Sequence, residues 1–303
     1  MECCQSHNEQ VVTCQPFHKS QSQWTTVRRE GKESKRAKPK GANPVDMRNC
    51  VEELVKFPLH SQMNGTLEWD IGLSQEFCSS LLGHHSADPF SPIANSLGVS
   101  QNPLYIQLAS ALYEIITFGS LQASSKCNKL ASSYEGSGLK QKEEWFDLVH
   151  KKGSELAEIL KNINFELHVQ EAFFTQLKGG LKTVEGRCAL GGYNRIASGA
   201  LILFYKCLVL EVQDVHRCAS FFEMLEAESL AKVLPGVETI DEGIQVYRKF
   251  YSEEKEMSNG VLAICVAKVA AQPYLSLARI LSGLSYEGVQ SLLNEEHLLG
   301  SIP

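Results

Sequence analysis

Apolar and polar positions along the chain fall into three regimes: unpatterned, helical and alternating. Residues 1 to about 44 are polar and poor in large aliphatics, and they predict a disordered arm that cannot bury enough surface to fold. From Asn49 to about Ile163 the pattern is helical. Ser74 is placed to cap a short helix in which Phe77, Leu81 and Leu82 share a face. Pro103 suits a first helical turn, and Leu104, Leu108, Leu112 and Ile115 recur at spacings of three and four in a helix ending near Gly119. Ala123 to Gly138 is small and polar and reads as a linker loop. Trp145, Leu148, Val149, Leu156, Ile159 and Leu160 then mark a long helix from about Leu139 to Asn162, with its charged face in solvent.

At Asn164 the period shortens to two. Phe165 to Val169 alternates like a half-buried strand, and a short helix from Glu171 to Lys178 stops at Gly179-Gly180. Lys182 to Cys188 reads as a strand, Gly191-Gly192 as a turn, and Ala200 to His216 as two apolar strands or one long bent one. A helix is expected from about Ala219 to Val233, broken by Leu234-Pro235-Gly236. Asp241 is expected to cap a second helix running to about Tyr251, and a closing strand starts at Gly260. Short helices around Leu275–Leu281 and Tyr286–Asn294 finish the pattern and could pack back on the N-terminal helices. The expected fold is α+β: a disordered basic arm (1–44), a helical region (45–163), a small mixed β-barrel with flanking helices (164–270) and C-terminal helices (271–303).

Composition narrows the functional classes. With 303 residues, 43% hydrophobic and 21% charged, the chain is a folded protein with a sizeable core, neither fibrous nor wholly disordered. Its longest apolar stretch, Ala200 to Val212, contains Lys206 and Glu211 and is too short for a membrane span, so no membrane partner is expected. The opening MECCQSHNEQ lacks the basic and apolar regions of a secretory signal, and an intracellular location is expected. Ten cysteines in so long a chain, none at CxxC spacing, point to reduced thiols, with no metal and no cofactor. His168 and His216 fall in strand patterns and read as satisfied structural histidines.

Charge is unevenly spread. Lys19, Arg28, Arg29, Lys32, Lys35, Arg36, Lys38 and Lys40 face only Glu30 and Glu33 within residues 19–40, and Glu2 and Glu9 precede them. Residues 41–303 therefore carry a net charge of -10 of the chain's -6. A basic arm is thus tethered to an acidic body. Arg28-Arg29 followed by Lys35, Arg36, Lys38 and Lys40 has the two-cluster form of a nuclear import signal, which favours a nuclear or nucleocytoplasmic location. A phosphate-binding arm and a solvated tail are the alternatives.

The densest chemistry lies in Gly180-Leu181-Lys182-Thr183-Val184-Glu185-Gly186-Arg187, a GxKxxExR pattern after a short helix. Lys182 offers a point charge, Arg187 a planar fork suited to phosphate, and Glu185 an acceptor for either. In a plain strand Glu185 and Arg187 share a face and Lys182 points away. The three converge only if Lys182 lies on the turn after Gly180 or a bulge intervenes. They then line a cleft; the alternative is a structural Glu185–Arg187 ion pair at the rim with Lys182 solvated.

This motif, with the Asp241-Glu242-Gly243 helix, its Tyr247-to-Tyr251 end and the closing strand at Val261, resembles the ASCH (activating signal cointegrator homology) domain over about Phe165 to Lys268. The Phe165–Phe174 lead-in is similar to plant members with a helical extension. The resemblance implies a PUA-like β-barrel and a positively lined cleft for RNA or a nucleotide, with Gly180, Lys182, Glu185, Arg187, Tyr193 and Arg195 as ligand-binding residues. It also implies a role as a transcription coregulator or RNA-processing factor. Two other readings stay open. One is a protein-interaction scaffold that uses the helical region. The other is an amidohydrolase like some small bacterial members, acting on N4-acetylcytidine, with Lys182, Thr183 and Glu238 or Glu242 as catalytic groups. In those members a threonine stands three residues after the lysine, where this chain has Glu185, which cannot supply the hydroxyl.

Overall fold

In a computed structural model the described residues are 45–83, 103–118 and 139–299. The basic arm and the 123–138 linker lie outside them. Among the described residues four α-helices come first: α1 (Val51–Met63), α2 (Gln75–Leu82), α3 (Leu104–Phe118) and α4 (Leu139–Lys161). Ser74 caps α2, its hydroxyl accepting from the Phe77 N–H at 3.2 Å. None of the helices among the described residues is long and apolar enough to cross a membrane.

Strands and helices then alternate. β1 (Phe165–Leu167), α5 (Glu171–Lys178), β2 (Val184–Cys188), β3 (Leu201–Phe204) and β4 (Leu208–Cys218) come first. Four short helices follow, α6 (Phe221–Glu228), α7 (Leu230–Val233), α8 (Ile240–Arg248) and α9 (Glu253–Asn259), and β5 (Val261–Lys268) completes the sheet. The strand order is β1-β3-β4-β5-β2, antiparallel except for the parallel β1–β3 pair. The sheet curls into a half-barrel with β1 and β2 as its edges. Two more helices, α10 (Pro273–Ser282) and α11 (Tyr286–Leu299), end the described chain.

Local chemistry departs from the sequence pattern at three places. The helix expected over 219–233 breaks at Ser229, which has φ +72° and separates α6 from α7. Thr239 rather than Asp241 caps α8. It forms a reciprocal box in which Thr239 Oγ1 accepts from the Glu242 N–H and the Glu242 carboxylate accepts from the Thr239 N–H. Ser252 starts a helix, α9, that the pattern did not show. Between β3 and β4 the chain reverses over residues 205–207: Tyr205 and Lys206 both have positive φ (52° and 59°), and the Cys207 N–H donates to the Phe204 carbonyl at 3.1 Å.

The buried side chains form two cores. The first runs without a break from Leu54, Leu59, Leu81, Leu108, Leu112, Leu156 and Leu160 of α1–α4 into Ile202, Phe204, Leu208 and Ile264 of the sheet and Leu277 and Ile280 of α10. The helical region therefore covers the sheet directly. Phe57 of α1 meets Phe174 of α5 and Tyr274 of α10 edge-on at 5.7 and 4.9 Å between ring centres, and Trp145 Nε1 of α4 donates to the Ile280 carbonyl at 3.1 Å. The second core, with Val184, Cys188, Phe221, Met224, Leu225, Leu234 and Tyr247, lies beneath α6–α8.

Where β5 ends, a buried side chain continues its ladder. Gln272 Oε1 accepts from the Val209 N–H at 2.9 Å, and its Nε2 donates to the carbonyls of Val209 and Val269, both at 2.8 Å. Replacing Gln272 with leucine strands all three backbone groups away from water. Urea unfolding of Gln272→Leu is expected to show a loss of about 2–4 kcal/mol with an unchanged slope.

Candidate functional site

The GxKxxExR segment is shaped by its glycines. Gly180 takes φ +73° past the end of α5, and the Leu181 and Lys182 N–H groups both fold back to the Gln176 carbonyl, at 2.9 and 3.1 Å. That turn places Lys182 before β2 begins and frees it from strand alternation. Gly186 serves a different need, because a Cβ there would lie 2.7 Å from Met224 Cε and closer still to the Tyr247 hydroxyl.

Lys182, Glu185 and Arg187 converge. Lys182 is only 2% exposed and Glu185 6%, so the cluster is internal. Lys182 Nζ donates to the carbonyls of Val184, at 2.8 Å, and Val233 of α7, and it pairs with Glu185 Oε2 at 3.2 Å. The other carboxylate oxygen pairs with Arg187 Nε at 2.9 Å. Arg187 Nη2 then crosses from edge strand β2 to the His168 carbonyl beyond edge strand β1, at 2.6 Å. A side chain thus bridges the seam that the backbone leaves open.

Burial sets the electrostatics. It pushes the Lys182 ammonium below the ordinary lysine range, while the Glu185 charge pulls it back. At Arg187 burial is again the largest effect and works against the charge, but Glu185 together with Tyr251 and Tyr193 outweighs it and holds the guanidinium above its usual value. Aromatic groups surround Arg187. The Tyr193 ring centre lies 5.7 Å from its Cζ, within cation–π range, and the Tyr251 hydroxyl is a further hydrogen-bond partner. Burial raises the phenols of Tyr251 and Tyr247, so both are neutral hydroxyls at neutral pH.

The other candidates occupy distinct places. Tyr193 and Arg195 lie on the 3-10 turn Gly191–Arg195, Tyr193 half-buried against Arg187 and Arg195 exposed. Asn194 between them accepts from Arg217 Nη2 at 2.9 Å, which sets a further cation on the rim. Gly180 is exposed on its turn. Thr183 is half-buried, its N–H on the Lys232 carbonyl and its own carbonyl accepting from Val266. Glu242 is held in the α8 cap and Glu238 is exposed just before it, so the carboxylate that meets Lys182 is Glu185. The import-signal residues Arg28, Arg29, Lys35, Arg36, Lys38 and Lys40 lie outside the described residues.

Sequence reasoning missed Tyr251 and Tyr247 as members of the cluster. Their spacing of four, across the end of amphipathic α8, was the available signal; in the structure Phe221 stacks on Tyr247 at 4.1 Å.

The family model described as the ASCH domain matches residues 167–270, from β1 to just past β5. Residues 167–270 are an ASCH domain. Two solved structures resemble it: a crystal structure of the hypothetical protein PH0355 and a solution NMR structure of protein PF0455 from Pyrococcus furiosus. The first is 40% identical over 35% of this chain and 98% of its own, with a TM-score of 0.34. The second is 43% identical over 35% and 97%, with a TM-score of 0.33. No curated protein matches the chain. The ASCH domain leaves α1–α4, α10 and α11 outside the family match, although they share its first core.

Because the ASCH-domain triad is buried, its members act on stability as much as on any ligand. Lys182→Met would leave two carbonyls without a donor and Glu185 with one partner, and Glu185→Gln would leave two buried cations uncompensated. Each is expected to cost about 3–5 kcal/mol in urea unfolding, against about 0.5 kcal/mol or less for Arg195→Ala on the surface.

Proposed function

We propose that this protein binds single-stranded RNA or a nucleotide at the seam between β1 and β2. The observation that carries this reading is the convergence of two cations and one carboxylate beneath tyrosines 193 and 251. The buried cluster has a surplus positive charge, and a phosphate is the natural counter-charge at its open side. Tyrosine faces beside a fixed guanidinium suit unstacked bases, the usual target of RNA recognition.

The roles divide by burial. Lys182 spends its donors on Val184, Val233 and Glu185, so it positions Glu185 rather than touching ligand. Glu185 aims Arg187, whose fork meets phosphate or a base edge while Tyr193 and Tyr251 stack. Arg195 and Arg217 add charge along the rim. The acidic remainder of the chain confines phosphate affinity to this surface and to the basic arm. The arm directs the protein to the nucleus, where it acts as an RNA-processing or coregulatory factor.

Binding of the full chain to a mixed pool of short oligoribonucleotides at two salt concentrations tests this reading. Arg187→Ala is expected to lower affinity about 10-fold to 100-fold with its circular dichroism unchanged, whereas Arg195→Ala weakens all sequences alike and lowers the salt slope by about one. Affinity that survives Arg187→Ala and vanishes when residues 1–44 are removed would assign binding to the arm and refute the seam.

A further inference from the structure

A second cluster of reactive side chains lies away from the seam, on the sheet face covered by α6. In β4 the register shifts at Gln213, an extra residue between the Val212–Val266 and Asp214–Cys265 pairs. This bulge turns Asp214 and His216 to the face of Cys265 on β5. The last residue of α6, Glu228, comes down over them. The ligand atoms of His216, Glu228 and Cys265 all lie within 4.8 Å of one another.

The arrangement within the cluster is specific. His216 Nδ1 meets Glu228 Oε1, and the second carboxylate oxygen, Oε2, lies 3.9 Å from Cys265 Sγ. The opposite ring nitrogen, Nε2, is 3.2 Å from Asp214 Oδ2. A carboxylate on one imidazole nitrogen fixes the ring so that the other nitrogen faces outward as a ligand, the usual outer partner of a metal-bound histidine. Bond lengths of about 2.0–2.3 Å to N, O and S in a tetrahedral site imply ligand separations of roughly 3.3–3.8 Å. To reach them the direct His216–Glu228 contact opens and the widest pair of the set closes, each by about 1 Å.

We propose that His216 Nδ1, Glu228 and Cys265 form a binding site for a zinc-class divalent cation, with Asp214 as the orienting outer carboxylate. One nitrogen, one sulfur and one oxygen select zinc-class ions over magnesium or calcium, and three protein ligands leave a fourth position for water. The cation takes the place of the proton between His216 and Glu228, and the Cys265 thiol releases its proton to solvent. His216 and Cys265 are half-buried, which leaves a path in from solvent. Lys232 is a nearby cation and is exposed on α7. A bound ion would tie the end of α6 to β4 and β5 just before the Ser229 break, and so steady α7, whose Val233 carbonyl holds Lys182.

Spacing in the sequence conceals this set, because residues 214, 216, 228 and 265 come from three elements. The test is a cobalt(II) titration of the full chain after chelator treatment and dialysis, read by absorption. The wild type is expected to bind one equivalent at this site, with a thiolate-to-cobalt charge-transfer band and the strong visible bands of tetrahedral cobalt; zinc displaces it and magnesium does not. Cys265→Ala is expected to abolish the charge-transfer band and His216→Gln to abolish binding at this site, with circular dichroism unchanged in both. Asp214→Asn keeps the band and weakens affinity about 10-fold to 100-fold. A wild type without the band, or a band that persists undiminished in both Cys265→Ala and His216→Gln, would overturn the proposal.

Discussion

A carboxylate withdrawn from water beneath a strand must be met by opposite charge, and Glu185 is met from two sides. Much of the ASCH domain's local structure follows from that constraint. Lys182 reaches Glu185 only because Gly180 adopts a positive φ and returns the chain to the Gln176 carbonyl. Its remaining donors fasten α7 and β2 through their carbonyls. On the other side Arg187 uses the geometry fixed by Glu185 to span the two edge strands. The same three side chains thus hold the α5–β2 turn, the helical cover and the seam, and the surface they support is the one proposed to meet RNA.

The helices outside the family match are part of the same body. Their apolar stripes enter the first core together with β1, β3 and β4; Phe57 and Gln272 supply directional ties across the junction, and Trp145 fastens α4 to α10. A small curled sheet has limited apolar area of its own, and covering one side with α1–α4 and α10 increases what it buries. The helical region thus has a packing role against the sheet. That role favours tests on the whole chain over an excised sheet.

Local rules made much of the fold legible. Ser74 caps α2, α5 runs from Glu171 to Lys178 as its pattern predicts, and the alternation after Asn164 marks the sheet. The GxKxxExR spacing drew attention to Lys182, Glu185 and Arg187, and strand parity stated the condition for them to meet. What stayed hidden depends on tertiary register. Tyr251 joins the cluster from the segment just after α8, and Gln272 acts as a substitute for backbone. The bulge at Gln213 changes which face Asp214 and His216 share, and no periodicity shows that change before the pairing of β4 with β5 is known.

The most direct test of the central claim is photochemical cross-linking of a bound oligoribonucleotide to the full chain, with the modified residues mapped by mass spectrometry. Cross-links at Tyr193 and Tyr251, lost together in Arg187→Ala, are the expected result. Cross-links confined to residues 1–44 or to α1–α4 would contradict the account and place recognition outside the seam.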